Sequence, residues 1–542
     1  MRTIEILDCT LRDGGFVNDW NFGAGSIANI IGRLVKAGID IIEVGFIDAR
    51  RSYDINRSIF PDTDSIKPIF NNLETDNALI LGMIDFGTCP IEAITEQQDS
   101  VLDGIRVIFK KQHSREALEF CAAIKKKGYK IFVNPVSVTS YSDTEMLNLI
   151  ATINALAPDG VAIVDTYGLM HKQELLHYYS LLDKNLITGI KIGYHAHNNF
   201  QLAYANSLEL VALDSERELI IDTSLFGMGK SAGNTCTELV AMHLNENYGK
   251  CYDMYQLLEA IDVDISKEYA RKQWGYTLNH FVAASNDCHP DYVSALIGKR
   301  TLSVKAVNEI LARIEPPAKL TFSKALIENL YLEYQNKYID DSGAYVALAR
   351  QLISRKILII APGRSIETDK THIQDFIHEN EPAVITINFI DENYKPDYVF
   401  MGNSKRYSQF YNKIYMGECS AKVICTSNIA ESNRKIDYIF NFNSLISEDD
   451  VIRDNPVLML LNLLTNMKIN TVFLAGFDGY TNDNMKNYPE EYIPFLYCND
   501  QVILRNEAIR KAIRSLDNKI SLKPLTSSFY FSPLVSSEYA PQ

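Results

Sequence analysis

Closely paired cysteines, long apolar runs and an excess of positive charge are all missing from these 542 residues. Each absence removes a class of function. The nine cysteines are dispersed and form no Cys-x-x-Cys pair, so neither a cysteine zinc site nor a disulfide framework is expected and a reducing compartment is. No stretch approaches the roughly 20 apolar residues needed to span a membrane. The N-terminal Met1-Arg-Thr-Ile-Glu-Ile-Leu-Asp8 has no signal-peptide apolar core, and a cytoplasmic protein is expected. Lys and Arg total 53 against 68 Asp and Glu, a formal net charge of −15; a nucleic-acid surface, which needs clustered cations, is excluded as an expectation. What is present, 46% hydrophobic and 22% charged residues, describes a globular chain long enough for two or three domains.

The first half alternates two periods. Short β-branched runs at 3–8, 40–46, 79–85, 103–109, 130–134, 160–165, 189–195 and 218–224 are separated mostly by stretches of helical spacing. Strands alternating with helices predict parallel pairing through right-handed crossovers. Eight such strands in about 245 residues predict a (β/α)8 barrel, with an open doubly wound sheet as the alternative. Asp8, Glu43, Asp85, Asn134, Asp165, His195 and Asp222 lie at or just after the carboxyl ends of these runs. In a barrel they face one mouth, although helix capping is the alternative role, for Asp85 above all. The domains are read as a barrel over 1–250, a helical extension over 251–350 and a smaller Rossmann-like α/β domain over 351–542, with a Ser/Pro-rich tail after about 525 expected to be loosely attached.

Chemistry points to His195-Ala-His197. Residues two apart on a strand share a face, so both imidazoles project together at the end of the seventh run. Asp13 follows the first run, and in a closed barrel the first and seventh strands are separated only by the eighth. A carboxylate and two imidazoles across that mouth suit Mn²⁺, Mg²⁺, Zn²⁺ or Fe²⁺ with positions left open. Two neutral imidazoles and one carboxylate leave a divalent ion with net charge near +1, fit for a 2-oxo acid or its enolate. Arg12 either stabilises a developing oxyanion or makes a salt bridge with Glu43 or Asp165. Asn234, closing Gly227-Met-Gly-Lys-Ser-Ala-Gly-Asn234, is a fourth ligand or a helix cap; that run does not have Walker A spacing.

Asp8-Cys-Thr-Leu-Arg-Asp-Gly14, Ile42-Glu-Val-Gly45, His195-Ala-His-Asn-Asn199 and Gly227-x-Gly-x-x-x-Gly-Asn234 together resemble the DRE-TIM metallolyase superfamily. That group includes 4-hydroxy-2-oxovalerate aldolase, hydroxymethylglutaryl-CoA lyase and the isopropylmalate, homocitrate and citramalate synthases. The resemblance covers about 1–290. It implies a TIM barrel, a divalent metal (Mn²⁺ or Mg²⁺) held by Asp13, His195, His197 and Asn234, Arg12 as the enolate-stabilising arginine and Glu43 as its supporting acid. Asp165-Thr-Tyr-Gly168 and His197-Asn-Asn-Phe-Gln-Leu-Ala-Tyr-Ala-Asn206 look closest to the aldolase branch, implying a 2-oxo acid and an aldehyde as substrates. One departure stands out: Phe16 occupies the place of the aldolase's histidine base. Tyr276, His280 and His289 are candidate replacements, and a metal-bound hydroxide is another.

In the last third, Ile359-Ile-Ala-Pro-Gly-Arg-Ser365 reads as a strand and a tight turn that presents amides to phosphate. Gly363 and Ser365 are the candidate contacts for a nucleotide or nucleotide-sugar. Asn388 and Asn403 end or follow the next apolar runs, and Ala475-Gly-Phe-Asp-Gly479 follows a later one. The segment faintly resembles CMP-sugar-using sialyltransferases and pterin diphosphokinase-like domains. An aldolase joined to such a domain implies sugar-acid or surface-polysaccharide synthesis. The alternatives are a Claisen-type acyltransferase using acetyl-CoA and a bifunctional protein with a nucleotide-sugar transferase activity. A homo-oligomer is expected.

Overall fold

The computed structural model describes residues 2–71, 73–75, 78–299, 301–319, 321–415, 420–429, 436–481, 487–488 and 499–531. The chain divides into two compact units, Met1–Pro290 and Asp291–Gln542.

The first unit is a closed parallel barrel. Its strands are β1 (Ile4–Asp8), β2 (Ile41–Ile47), the two-residue β3 (Ile59–Phe60), β4 (Leu79–Asp85), β5 (Gly104–Phe109), β6 (Lys130–Pro135), β7 (Gly160–Asp165), β8 (Lys191–Ala196) and β9 (Leu219–Thr223). β1 pairs in parallel with both β2 and β9. That double pairing closes the sheet and decides for a barrel over an open sheet. Alternation along each strand explains the layers. Ile6, Ile42, Ile80, Ile105, Ile131 and Ile221 join the core under the surrounding helices. Leu7, Ile41, Leu81, Phe132 and Ile220 form a separate cluster inside the barrel. The inward parity therefore passes through Glu43, Arg106, His195 and Asp222, and burying those charges is tolerable only if they satisfy one another.

The second unit holds a parallel sheet in the order β14-β13-β12-β11-β10-β15-β16. These are β10 (Ile357–Ile360), β11 (Ala383–Ile387), β12 (Tyr398–Met401), β13 (Lys422–Thr426), β14 (Tyr438–Phe440), β15 (Thr471–Ala475) and β16 (Ser521–Pro524). Ile357 and Ile359 pack with helices Ser342–Leu352, Pro456–Asn466 and Asn499–Leu516 on one face. Leu358 and Ile360 pack with Lys370–Asn380 and Ser404–Tyr415 on the other. Burial on both faces explains why these strands read as unbroken apolar runs.

The helical stretch 251–350, expected as one extension, is divided: helices up to Leu278–Ser285 belong to the first unit, and from Asp291 onward to the second. The apolar faces of those helices pack locally, which helical spacing alone does not reveal. The tail expected to be loose after about 525 is packed through its described part, since buried Tyr530 stacks 4.6 Å from Phe477. Residues 532–542 lie outside the described residues. No helix among those described is long and apolar enough to cross a membrane.

Candidate metal centre and its surroundings

β1 ends at Asp8, whose carboxylate accepts from Thr10 N at 2.9 Å and Thr237 Oγ1 at 2.6 Å. Burial pushes this carboxyl up to about 6 in spite of those donors. The turn that follows carries Arg12 and Asp13 inward, both buried. Asp13 Oδ1 accepts from Arg12 Nη1 at 2.6 Å, and Oδ2 accepts from Asn234 Nδ2 at 2.7 Å and Lys230 N at 3.2 Å. Burial alone would raise the Asp13 carboxyl, but the Arg12 charge, the neighbouring histidines and the Asn234 bond hold it well below the usual carboxylate range.

His195 and His197 come from the end of β8, and their ring centroids lie 5.2 Å apart. One ligand atom each from Asp13, His195 and His197 lies within 4.8 Å of the others, all three residues buried. His195 Nδ1 meets Asp222 Oδ2 at 3.0 Å, and His197 Nδ1 meets the Gly233 carbonyl at 3.3 Å. Those partners fix the ring orientations, as second-layer contacts do around metal-binding histidines. Burial pushes His197 down to about 4, opposed by Asp13 and aided by His195, Lys230 and Arg12; the imidazole is neutral at pH 7, the form that ligates metal.

Asn234 supplies the test of fit. With Nδ2 on Asp13, its Oδ1 is buried and has no hydrogen-bond partner among the described residues. An orphaned oxygen beside one carboxylate and two imidazoles is the donor set a divalent cation completes. Gly229 is required here by close approach: a Cβ would stand 2.4 Å from Asn234 Nδ2 and 2.6 Å from Asp13 Oδ2.

A chain of alternating charge runs behind these ligands. Arg12 Nε donates to Glu43 Oε2 at 2.6 Å, Arg106 Nη1 to Glu43 Oε1 at 3.3 Å, and Arg106 Nη2 to Asp222 Oδ2 at 2.5 Å. Arg12 takes the salt bridge to Glu43 and not to Asp165, which accepts instead from Leu169 N and Met170 N. Burial would lower the Arg12 guanidinium, but Glu43 and Asp13 raise it and keep it charged. Two cations, Arg12 and Arg106, face three anions, Asp13, Glu43 and Asp222, so the buried set is one negative charge in excess before any metal binds.

Arg106 and Lys230 were missed as members of the site. An arginine on the inward parity of an otherwise apolar strand was the available signal for Arg106. Lys230, inside the quoted glycine run, places Nζ 5.4 Å from the centre of the Phe16 ring. Phe16 itself is 39% exposed and packs edge-on to Trp20 at 4.9 Å.

Neither His280 nor His289 is among the clustered ligand groups. Tyr276 is exposed, and His280 Nδ1 meets the Gly275 carbonyl at 3.1 Å. The helix Leu278–Ser285 does approach the loop after His197, with Phe281 5.7 Å from Phe200. In the second unit, Gly363 and Ser365 are committed elsewhere: Ser365 N donates to Asp478 Oδ2 at 2.8 Å and its hydroxyl to Asp478 Oδ1. A carboxylate of the protein already sits where the tight turn was expected to hold phosphate. A Cβ on Gly363 would meet the Gly476 carbonyl at 2.3 Å, so this glycine lets two loops touch.

Residues 3–263 match the HMGL-like family. The chain is 28% identical over 266 residues to a 4-hydroxy-2-oxovalerate aldolase of Pelotomaculum thermopropionicum, covering 48% of this chain and 76% of that protein. A 2-isopropylmalate synthase of Sulfolobus acidocaldarius is 25% identical over 324 residues, 58% of this chain and 77% of the relative. Among solved structures, the HMG-CoA lyase of Brucella melitensis matches with a TM-score of 0.38 at 16% identity, covering 48% of this chain and 96% of its own. The chain is thus similar to proteins named as aldolases and as synthases.

Proposed function

We propose that the HMGL-like barrel reversibly cleaves a carbon–carbon bond between a 2-oxo acid and an aldehyde through the enolate of pyruvate, with Mn²⁺ or Mg²⁺ as cofactor. One observation carries this reading. Arg12 commits Nε to Glu43 and Nη1 to Asp13, while Nη2 has no partner among the described residues. A charged guanidinium is thereby fixed beside the ligand carboxylate with a donor left over for an oxyanion. Asp13, His195, His197 and Asn234 would hold the ion, which supplies Lewis-acid polarisation of the 2-oxo acid when bound.

For a 4-hydroxy-2-oxo acid, the 4-hydroxyl loses its proton and the C3–C4 electron pair moves to make the enolate of pyruvate as the aldehyde leaves. Arg12 donates to the oxygen on which that charge develops, and Glu43 holds its plane. The enolate carbon then takes up a proton. Tyr276 and His280 are the proposed carriers; burial holds His280 below its usual range, leaving a neutral imidazole able to accept a proton. The protein's surplus negative charge, offset by a dication, favours an anionic substrate. For the second unit, helices on both faces of a parallel sheet support a Rossmann-like assignment, and a sugar-acid or surface-polysaccharide role is our reading of the two units on one chain.

Similarity to a 2-isopropylmalate synthase supports a second reading, acyl transfer from acetyl-CoA to a 2-oxo acid. One assay separates them. Metal-supplemented protein should release pyruvate from 4-hydroxy-2-oxopentanoate, and Arg12→Lys, which keeps charge but loses the fork, should lower kcat by about 100-fold or more. Thiol release from acetyl-CoA with a 2-oxo acid, and no pyruvate release, would establish acyl transfer instead.

A further inference from the structure

A cavity of the second unit lies at the carboxyl edge of its sheet, bounded by the loops that follow β10, β11, β12 and β15. It encloses about 830 Å³, open solvent included. The chain leaves β10 for a helix on one face and β15 for a helix on the other. This is the point where successive loops diverge and open a crevice, the place where open parallel sheets bind ligands.

Three asparagines give the crevice a direction. Asn388 Oδ1 accepts from Gly402 N at 3.2 Å. Asn403 Oδ1 accepts from Lys405 N at 2.9 Å and Arg406 N at 3.1 Å. Asn455 Oδ1 accepts from Val457 N at 3.0 Å and Leu458 N at 3.2 Å. Those backbone donors fix which end of each carboxamide is oxygen. All three residues are more than nine-tenths buried, at 7%, 4% and 3% exposure, and all line the cavity. Their Nδ2 groups have no partner among the described residues, and the three residues line one cavity, which leaves three amide donors for a ligand there.

The charged lining has the same polarity. Arg406 and Arg505 line the cavity. Its two carboxylates are turned to protein donors: Asp454 Oδ2 accepts from Thr301 at 2.8 Å and Tyr331 at 3.0 Å, and Asp478 accepts from Ser365. Phe477 and Tyr530, stacked 4.6 Å apart, add an aromatic wall. A donor-rich cavity with aromatic flanks suits a ligand that is rich in acceptor oxygens, anionic, and carries a flat ring.

We propose that this cavity binds a nucleoside phosphate, with the amide nitrogens of Asn388, Asn403 and Asn455 donating to its oxygens. The phosphate does not sit on the turn at Gly363 to Ser365, because Asp478 fills that place. The assignment is independent of the barrel chemistry, and its readout is binding, not turnover.

The test is isothermal titration of the full-length protein with the 5′-mono- and diphosphates of cytidine, uridine, adenosine and guanosine, and with inorganic pyrophosphate. At least one nucleotide should bind saturably at one per chain. Asn403→Asp and Asn455→Asp keep the acceptor that caps the following helix but replace the donor with a negative oxygen. Each should weaken binding about ten-fold or more while leaving the melting temperature in place. No saturable nucleotide binding, or binding unchanged in both variants, would overturn the proposal; pyrophosphate binding as tightly as the nucleotides would overturn the nucleoside part.

Discussion

Asp222 lies outside the Asp13, His195, His197 cluster and meets His195 through a 3.0 Å contact to Nδ1. That carboxylate fixes which ring nitrogen is left to ligate, and it is itself held by Arg106. Asp222→Asn keeps the shape and removes the charge, so Mn²⁺ affinity should fall about 10–100-fold, measured by paramagnetic resonance titration. Asp13→Ala should remove binding altogether. Equal affinity in Asp222→Asn and the unsubstituted protein would mean that His195 is oriented by something else. Asp13, His195, His197 and Asn234 were all named from the sequence because short motifs carry them. Arg106 and the role of Asp222 were not, because their pairing joins strands 116 residues apart, and linear spacing is blind to such contacts.

Among the elements, β1 carries an internal cost. Its last residue, Asp8, is buried at 1% exposure with a carboxyl raised from 3.8 to about 6, mainly by desolvation. The folded state holds this proton to higher pH than the unfolded chain does, so the stability it confers is complete below about 4 and declines as pH rises toward 6. A tenfold difference in proton affinity is worth about 1.4 kcal/mol, and the full decline is on the order of 3 kcal/mol. Asp8→Asn has no such titration. Relative to the unsubstituted protein, it should therefore gain stability between pH 4 and pH 6 and hold a constant difference above, read by urea unfolding at each pH. A difference that stays flat across that window would contradict the desolvation account. The eight barrel strands themselves were legible because their β-branched runs repeat at regular intervals between helical stretches. β3 and β16 were not, being two residues long in one case and a polar edge strand ending in Pro524 in the other.

At the scale of the whole chain, two parallel sheets each gather polar groups at their carboxyl edge, one as a closed barrel and one as an open crevice. The barrel collects a carboxylate, two imidazoles and an orphaned amide oxygen. The crevice collects amide nitrogens and guanidinium groups. The first donor set suits a cation and the second suits an anion. The turn at Gly363 to Ser365 shows why the second could not be read from its motif: whether a glycine turn greets phosphate depends on which side chain arrives from β15, and here it is Asp478.

The central claim is that the barrel makes the enolate of pyruvate at the Asp13, His195, His197 cluster. It is tested most directly by incubating metal-supplemented protein with pyruvate in D₂O and weighing the recovered pyruvate by mass spectrometry. Metal-dependent uptake of up to three deuterons into the methyl group is expected, abolished by chelator and by Asp13→Ala. Pyruvate recovered without deuterium from protein shown to bind the metal, or exchange that persists in Asp13→Ala, would contradict it.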